Sequence, residues 1–358
     1  MSPPFLRRNR PHHANPPHLC GGSPIGSRSC TILSTSPRSD LPYAAPDASV
    51  RTVRPSTQHL LDEIRTLVAA HARPDLTTPI GGLLLSKVGT SAPDYSLTEP
   101  LLVVMAQGGK RLLLGDQVYE YRAGECLVVT ADLPVTGNFI DATPQAPALG
   151  LGLVLRPAAI APLLLEAPAS RWPRTTAGLP AIATGEAGPD LLDAVVRMLR
   201  LLDRPADAPV LAPLIEREIL WRLLTGPYGG MIRQIGTADS HLTHINRAIH
   251  WIRDNYAEPL RIEDLARLAA MSTSAFHRHF RAVTALSPLQ FQKRIRLQEA
   301  RALLLARPGD VAGVGHLVGY DNPSQFTREY RRLFGAPPGR DAARVRATVV
   351  QPVVRQLP

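Results

Sequence analysis

Two stretches of this chain share one pattern: Met271–Pro288 (MSTSAFHRHFRAVTALSP) and Asp321–Pro338 (DNPSQFTREYRRLFGAPP). Phe276, Phe280 and Val283 recur at i, i+4 and i+7 in the first, and Phe326, Tyr330 and Leu333 do so 50 positions later. At about 100° per residue these residues form one apolar stripe on each of two helices. The opposite face carries Ser274, His277, Arg278 and Arg281 in the first, and Ser324, Thr327, Arg328 and Arg331 in the second. Ser272 stands as N-cap of one helix, and Asn322 followed by Pro323 opens the other. Gln325, three residues after Asn322, makes a capping-box pattern. An apolar back with a front of hydroxyls, an imidazole and guanidiniums is the side-chain set that enters a DNA major groove.

A short amphipathic helix is expected just before each stretch: RIEDLARLAA, with Ile262, Leu265, Ala266 and Ala269, and DVAGVGHLVGY, with Val311, Val314 and Val318. A helix, a tight turn and a groove-facing helix make a helix-turn-helix, and the chain carries two. Between them SPLQFQKRIRLQEARALLLARPG predicts a helix opened by Ser287, Pro288 and Gln290 and stopped by Arg307-Pro308-Gly309. Some 18 residues would span about 27 Å. That separation suits recognition helices in successive major grooves, about 34 Å apart.

These residues resemble the DNA-binding domain of AraC/XylS-type bacterial transcription regulators. LARLAAMSTSAFHRHF, SPLQFQKRIRLQEAR and VGYDNPSQFTREYRRLFGAPP carry the likeness over about 100 residues, the last being the most diagnostic. Ala270 departs from it, standing where a glycine commonly ends the first helix, and Gly313 and Gly315 lie inside a helix where alanine is usual. Interior glycines cost roughly 0.8–1 kcal/mol each, so a looser second unit is expected.

The charge is uneven. Residues 241–346 hold 17 Lys/Arg against 9 Asp/Glu, a surplus of eight, and residues 1–58 hold 7 against 2. Residues 59–240 hold 15 against 19, so a basic C-terminal module follows an acidic middle. That division fits a nucleic-acid binder with a separate sensing or assembly part. Three cysteines, Cys20, Cys30 and Cys126, supply no disulfide framework, and a reducing cytoplasm is expected. No run approaches the ~20 apolar residues of a membrane span. Residues 1–56 are rich in Pro, Ser, Arg and Gly and read as a disordered basic tail. His12, His13, His18, Cys20 and Cys30 match no standard metal-ligand spacing.

From Thr57 an amphipathic helix (Leu60, Leu61, Ile64, Leu67, Val68) precedes six short apolar or alternating runs: IGGLLLSKVG, LLVVMAQG, KRLLLG, QVYEYRAG, ECLVVTAD and ALGLGLVLRP. Gly115-Asp116 reads as a hairpin turn. Runs at this spacing predict a small antiparallel barrel or sandwich. GKRLLLGDQVYEYRAGECLVV and DLPVTG resemble the cupin-like N-terminal domain of one AraC-type subfamily, which implies a jelly-roll pocket for a small effector. Leucine-rich helices follow after Arg156, through Gly226. In the last of them Leu211, Leu214, Ile215, Ile219 and Leu223 are expected to share a face packed on the barrel, or else to form a dimer contact of the kind such helices provide in related regulators.

An enzyme is the competing class, because cupins often hold metals with several histidines. None of the eleven histidines falls between Arg73 and Ser240, and no GxSxG, Walker or GxGxxG motif occurs. The clustered cysteines of a DNA-repair methyltransferase are absent too.

The expected fold is therefore α+β and multidomain. A cupin-like β-barrel with helices (57–226) follows the tail 1–56, and a linker (227–240) joins it to an all-α double helix-turn-helix (241–346) before a tail (347–358). The expected function is a cytoplasmic, sequence-specific DNA-binding regulator, an activator or a repressor, with no catalytic residue, metal or cofactor. The alternative is a cupin-type enzyme or small-molecule-binding protein with an accessory DNA-binding module. Double-stranded promoter DNA, an unidentified small-molecule effector, a second copy and, for an activator, RNA polymerase are the expected partners, with no membrane. Arg278 and Arg328 are expected to read bases together with Ser274, His277, Ser324 and Thr327. Arg281 and Arg331 are expected at phosphates, and His279 in packing.

Overall fold

The computed structural model describes residues 56–167 and 179–349. The tail up to residue 55, with its histidines and two cysteines, lies outside the described residues, as does the chain beyond Val349. The first helix, α1 (Thr57–His71), is capped by Ser56, whose hydroxyl accepts from the His59 N–H, and buries Leu60, Leu61, Ile64 and Val68. Strands β1 (Leu83–Val88), β2 (Asp94–Leu97), β3 (Leu101–Gln107), β4 (Gly109–Leu114), β5 (Gln117–Arg122), β6 (Glu125–Val129), β7 (Pro134–Ile140) and β8 (Ala148–Val154) follow. After α2 (Pro157–Glu166) comes β9 (Ile182–Glu186).

The strands form two antiparallel sheets, β1-β8-β3-β6-β9 and β2-β7-β4-β5. They pack as an open sandwich and do not close into a barrel. Gly115 (φ +60°) and Asp116 make the two-residue turn between Leu114 and Gln117. Cross-strand partners point to the same face of a sheet. On the five-stranded sheet Leu83, Leu102, Leu151 and Leu153 face Val195 and Met198 of α3 (Pro189–Arg200) and Ile219 of α4 (Ala208–Thr225). The opposite face, with Ser86, Val103, Met105 and Leu127, turns toward the second sheet.

The helix α4 buries an arc different from the expected one. Ala212, Ile219 and Leu223 lie at its centre, whereas Leu211 and Leu214 are 41% and 60% exposed. On the helical wheel the buried centre is turned about 130° from the face drawn through Leu211 and Leu214, and α2, α3 and α5 pack against the helix. The stretch 227–240, expected as a linker, carries α5 (Gly229–Gly236), which buries Met231, Ile232 and Ile235 and packs on α2.

The remaining helices are α6 (His241–Asp254), α7 (Ile262–Leu268), α8 (Thr273–Thr284), α9 (Pro288–Ala306), α10 (Val311–Leu317), α11 (Pro323–Phe334) and α12 (Pro338–Val349). The last runs through the boundary expected at 346. The long helix α9 starts with a formed capping box between Ser287 and Gln290. Its first half gives Phe291 and Ile295 to a core continuous with the sandwich. Its second half gives Leu297, Ala300 and Leu304 to a separate core with Val314, Phe326, Tyr330 and Phe334. Among the described residues no helix is long and apolar enough to cross a membrane.

Candidate nucleic-acid interface

Each expected recognition helix is held from behind by aromatics. In α8, Phe276 and Phe280 are buried with ring centroids 5.4 Å apart, and Phe280 meets Phe291 of α9 edge-on at 5.5 Å. In α11, Phe326 lies 5.3 Å from Tyr320 and 5.6 Å from Tyr330, and Tyr330 lies 4.4 Å from Phe334. Such pairs are worth about 0.5–1.5 kcal/mol beyond their burial, so both helices are fixed in rotation.

Both N-termini are closed by the expected caps. The Ser272 hydroxyl accepts from the Ala275 N–H at 3.3 Å. The Asn322 amide oxygen accepts from the N–H groups of Ser324 and Gln325, at 2.9 and 3.1 Å. The capping box expected from Gln325 is not formed. Its side chain donates to Glu329 at 3.1 Å instead. Glu329 also takes Lys293 of α9 at 2.7 Å and the Tyr320 hydroxyl at 2.8 Å, which ties α11 to α9. These donors hold the Glu329 carboxyl below its usual pKa against the raising effect of its burial.

With the apolar stripes inward, the opposite faces stay open. Ser274, His277, Arg278 and Arg281 are exposed on α8, as are Ser324, Arg328 and Arg331 on α11, while Thr327 is half-buried. Among the described residues none of these eight side chains makes a hydrogen bond or ion pair. The α9 arginines differ. Arg296 donates to the carbonyls of Tyr256, Ala257, Glu258 and Gly319. Arg301 donates to the fully buried Asp341, which also accepts from Tyr330 and Arg344. Part of the positive surplus thus holds the fold, and the part on α8 and α11 is unengaged. Arg332 and Arg340 are likewise exposed. Sequence reasoning passed over both: Arg332 lies about 100° round the helix from Arg331, and Arg340 sits in a helix it did not expect.

His279 lies where packing was expected. It is half-buried and its ring stacks on His241 of α6 with centroids 4.5 Å apart. Burial, the His241 ring and the Arg278 charge hold its pKa below 6.5.

The two units differ in their turns. Four residues separate α7 from α8 and five separate α10 from α11. Ala270 adopts φ +51° at the end of α7, where Gly319, at φ +86°, ends α10. The interior glycines of α10 have close neighbours: a Cβ on Gly315 would lie 3.0 Å from the Phe326 ring, and one on Gly313 would lie 2.4 Å from the capping carboxylate of Asp310. Their small size lets α11 and the cap approach, which compensates the entropy behind the looser unit expected from sequence.

Among the described residues no group of three His, Cys, Asp or Glu side chains is gathered to hold a metal. Cys126 is buried, with Sγ 3.4 Å from the Tyr228 hydroxyl, and burial pushes its thiol pKa up.

Residues 79–231 match the family model described as AraC-type transcriptional regulator N-terminus, and residues 265–344 match one described as a helix-turn-helix domain. Among curated proteins the chain is similar to the HTH-type transcriptional activator RhaS of Escherichia fergusonii, at 28% identity over 159 residues, 42% of this chain and 56% of that protein. The RhaS of Salmonella arizonae is 28% identical over 156 residues, with the same coverage. The chain thus spans about half the length of the curated relatives it matches. Among solved structures, unsaturated fatty acid-bound ToxT from Vibrio cholerae is similar over 73% of this chain and 94% of its own, at 8% identity and a TM-score of 0.49. A probable AraC family transcriptional regulator from Rhodopseudomonas palustris covers 28% of this chain and 95% of its own, at 32% identity and a TM-score of 0.27. With both family models placed in order over most of its length, the chain belongs to the AraC-type transcriptional regulators.

Proposed function

We propose that this protein regulates transcription by binding a specific DNA sequence through the outward faces of α8 and α11, under control of a small-molecule effector in its N-terminal domain. The observation that carries the reading is the pair of capped, aromatic-backed helices, each presenting unpartnered polar and basic side chains at matching positions. Arg278 and Arg328 are the base readers, flanked by Ser274, His277, Ser324 and Thr327. Arg281 and Arg331 take phosphates. Residues 241–346 form the DNA-binding module, working in the cytoplasm and without catalysis. The lack of any histidine between Arg73 and Ser240 supports the non-enzymatic reading of the sandwich. Self-association through α2 and α4 is favoured by Leu165, 87% exposed, together with Val210 and Leu214.

Gel-shift titrations of the full chain against a randomised duplex pool and against its enriched sequences test the reading. Affinity for the enriched sequences should exceed that for the pool by about 10³-fold or more. It should also fall with salt by about 0.9 log units per neutralised phosphate per log unit of salt. Equal affinity for every duplex would overturn it.

A further inference from the structure

The inside of the sandwich is not uniformly apolar. Strand register puts Lys110, Leu112 and Phe139 on the inner face of the four-stranded sheet, with Asp94 and Ser96 of β2 at its edge. Ser86 looks in from the opposite sheet. Lys110 is only 1% exposed, yet among the described residues its ammonium finds no hydrogen-bond partner. Asp94 Oδ2 and Ser86 Oγ are buried and unpartnered as well. The ammonium rests 4.6 Å from the centroid of the Phe139 ring. Its path is open because the neighbour is glycine: a Cβ on Gly137 would stand 2.9 Å from Lys110 Cε. Gly137 pairs with Asp94, so the lysine leans toward that carboxylate without reaching ion-pair distance. Burying an ammonium without a partner is strongly unfavourable. Burial lowers the Lys110 pKa to about 8, the Asp94 charge opposing the fall, so the group stays mostly protonated at neutral pH.

The strand that carries Asp94 also meets the second helix-turn-helix. Tyr95, on the outer face of β2, packs edge-on against Phe334 of α11 with centroids 4.7 Å apart, and the Arg301 guanidinium lies 4.7 Å above its ring. Gln298 of α9 donates to the carbonyls of Ser96 and Val135, at 3.3 and 3.4 Å. One four-residue strand therefore has unsatisfied polar atoms on one side and the core of the second DNA-reading unit on the other.

We propose that the sandwich interior takes a small carboxylic acid, its carboxylate paired with Lys110 and a hydrogen-bond donor of the same molecule meeting Asp94, and that β2 passes its binding to α11. This rests on the effector reading above and names the ligand class and the route. A carboxylate supplies the counter-ion that Lys110 lacks. Asp94 selects molecules that also bear a hydroxyl or amino group. Because Asp94 and Tyr95 are adjacent, a shift of β2 toward the ligand moves the ring that supports Phe334.

The test uses the full chain in thermal unfolding and in DNA titration, with acetate, lactate, alanine, succinate and benzoate as probes. Their amides, inorganic phosphate and a neutral sugar serve as counterparts. At least one acid bearing a hydroxyl or amino group should raise Tm by a few degrees where its amide does not, and should change DNA affinity about fivefold or more. Lys110→Met should abolish both effects. The double variant Lys110→Met/Asp94→Asn, which removes both charges, repeats the measurement should the single variant fold poorly. Tyr95→Ala should keep the Tm response and lose the effect on DNA. A sugar or amide acting equally on wild type and Lys110→Met would overturn the carboxylate class and leave the effector reading standing. Phosphate acting alone through Lys110 would overturn the carboxylate assignment. No response to any probe would overturn the carboxylic-acid proposal and leave the effector reading standing, while DNA binding by α8 and α11 would stand on its own titration.

Discussion

Arg278 and Arg281 sit three residues apart on one helix, both exposed and, among the described residues, both unpaired, so their difference lies in position along the groove. A helix entering by its N-terminal end brings its first turns to the bases, and its later turns climb to the backbone. Arg278→Ala should therefore cost about 1–3 kcal/mol on the preferred site and flatten preference at one base pair. Arg281→Ala should weaken all sequences alike and lower the salt slope by about one. Binding curves over single-base changes check this, and one shared profile for both variants would refute the assignment. Arg328→Ala should act like Arg278→Ala about one turn of DNA away. With Gly315 packed on Phe326, the second unit gives no structural reason for a weaker effect.

Backbone conformation makes a second residue-scale prediction. Ala270 holds a left-handed conformation that costs a side chain about 1–2 kcal/mol. Ala270→Gly should thus raise stability by about 1 kcal/mol, read as a shift in urea midpoint. Gly319→Ala should do the opposite by about 2–5 kcal/mol, since its Cβ would lie 2.2 Å from the Ala257 carbonyl oxygen in a left-handed turn. A third prediction concerns His279, whose folded pKa lies below its unfolded value near 6.5. The unfolded chain then binds the proton more readily. The contribution is complete above about pH 6.5 and is lost as pH falls through the folded pKa. The urea midpoint should drop between pH 7.5 and 5.5, and His279→Phe should flatten that dependence.

At the scale of elements, α9 is the part that the two reading units share. Asp341 of α12 fastens its C-terminal half: it is fully buried, and Arg301 Nε and the Tyr330 hydroxyl reach it at 2.8 and 3.0 Å. Asp341→Ala leaves that guanidinium and phenol unpaired in the second core and should cost about 3–5 kcal/mol, measured by chemical denaturation. Helices α1, α8 and α11 were legible because their apolar stripes repeat and their caps are the favoured residues, whereas α5 and α12 were not. Of the strands, β2, β7 and β9 were missed. The run in β7 is broken by Pro134 and Gly137, and β2 is four half-buried residues with no alternation to see. For α4, periodicity showed a helix but could not say which flank its neighbours would cover.

On the scale of the whole molecule, the sandwich and the DNA-binding helices touch at several places that no sequence pattern announces. Arg253 of α6 donates to the buried Asp132, and His250 Nε2 lies 3.4 Å from the same carboxylate. A Cβ on Gly115 would stand 3.1 Å from the Ala285 carbonyl oxygen at the end of α8. These contacts, like that of Tyr95 with Phe334, join residues far apart in the chain, so they follow from the tertiary arrangement alone. The eight outward side chains on α8 and α11 were legible because a helix face is a local property. Lys110, Asp94 and Ser86 were not, since only the register of two sheets brings them to one interior.

The central claim is that two helices of one chain read DNA together, and sequence selection by the full chain tests it most directly. Selection from a random duplex pool should enrich two short motifs with centres about 10–10.5 base pairs apart, one turn of the double helix. Arg278→Ala and Arg328→Ala should each relax a different one of the two. Enrichment of no motif, or of a single motif relaxed equally by both variants, would contradict the account.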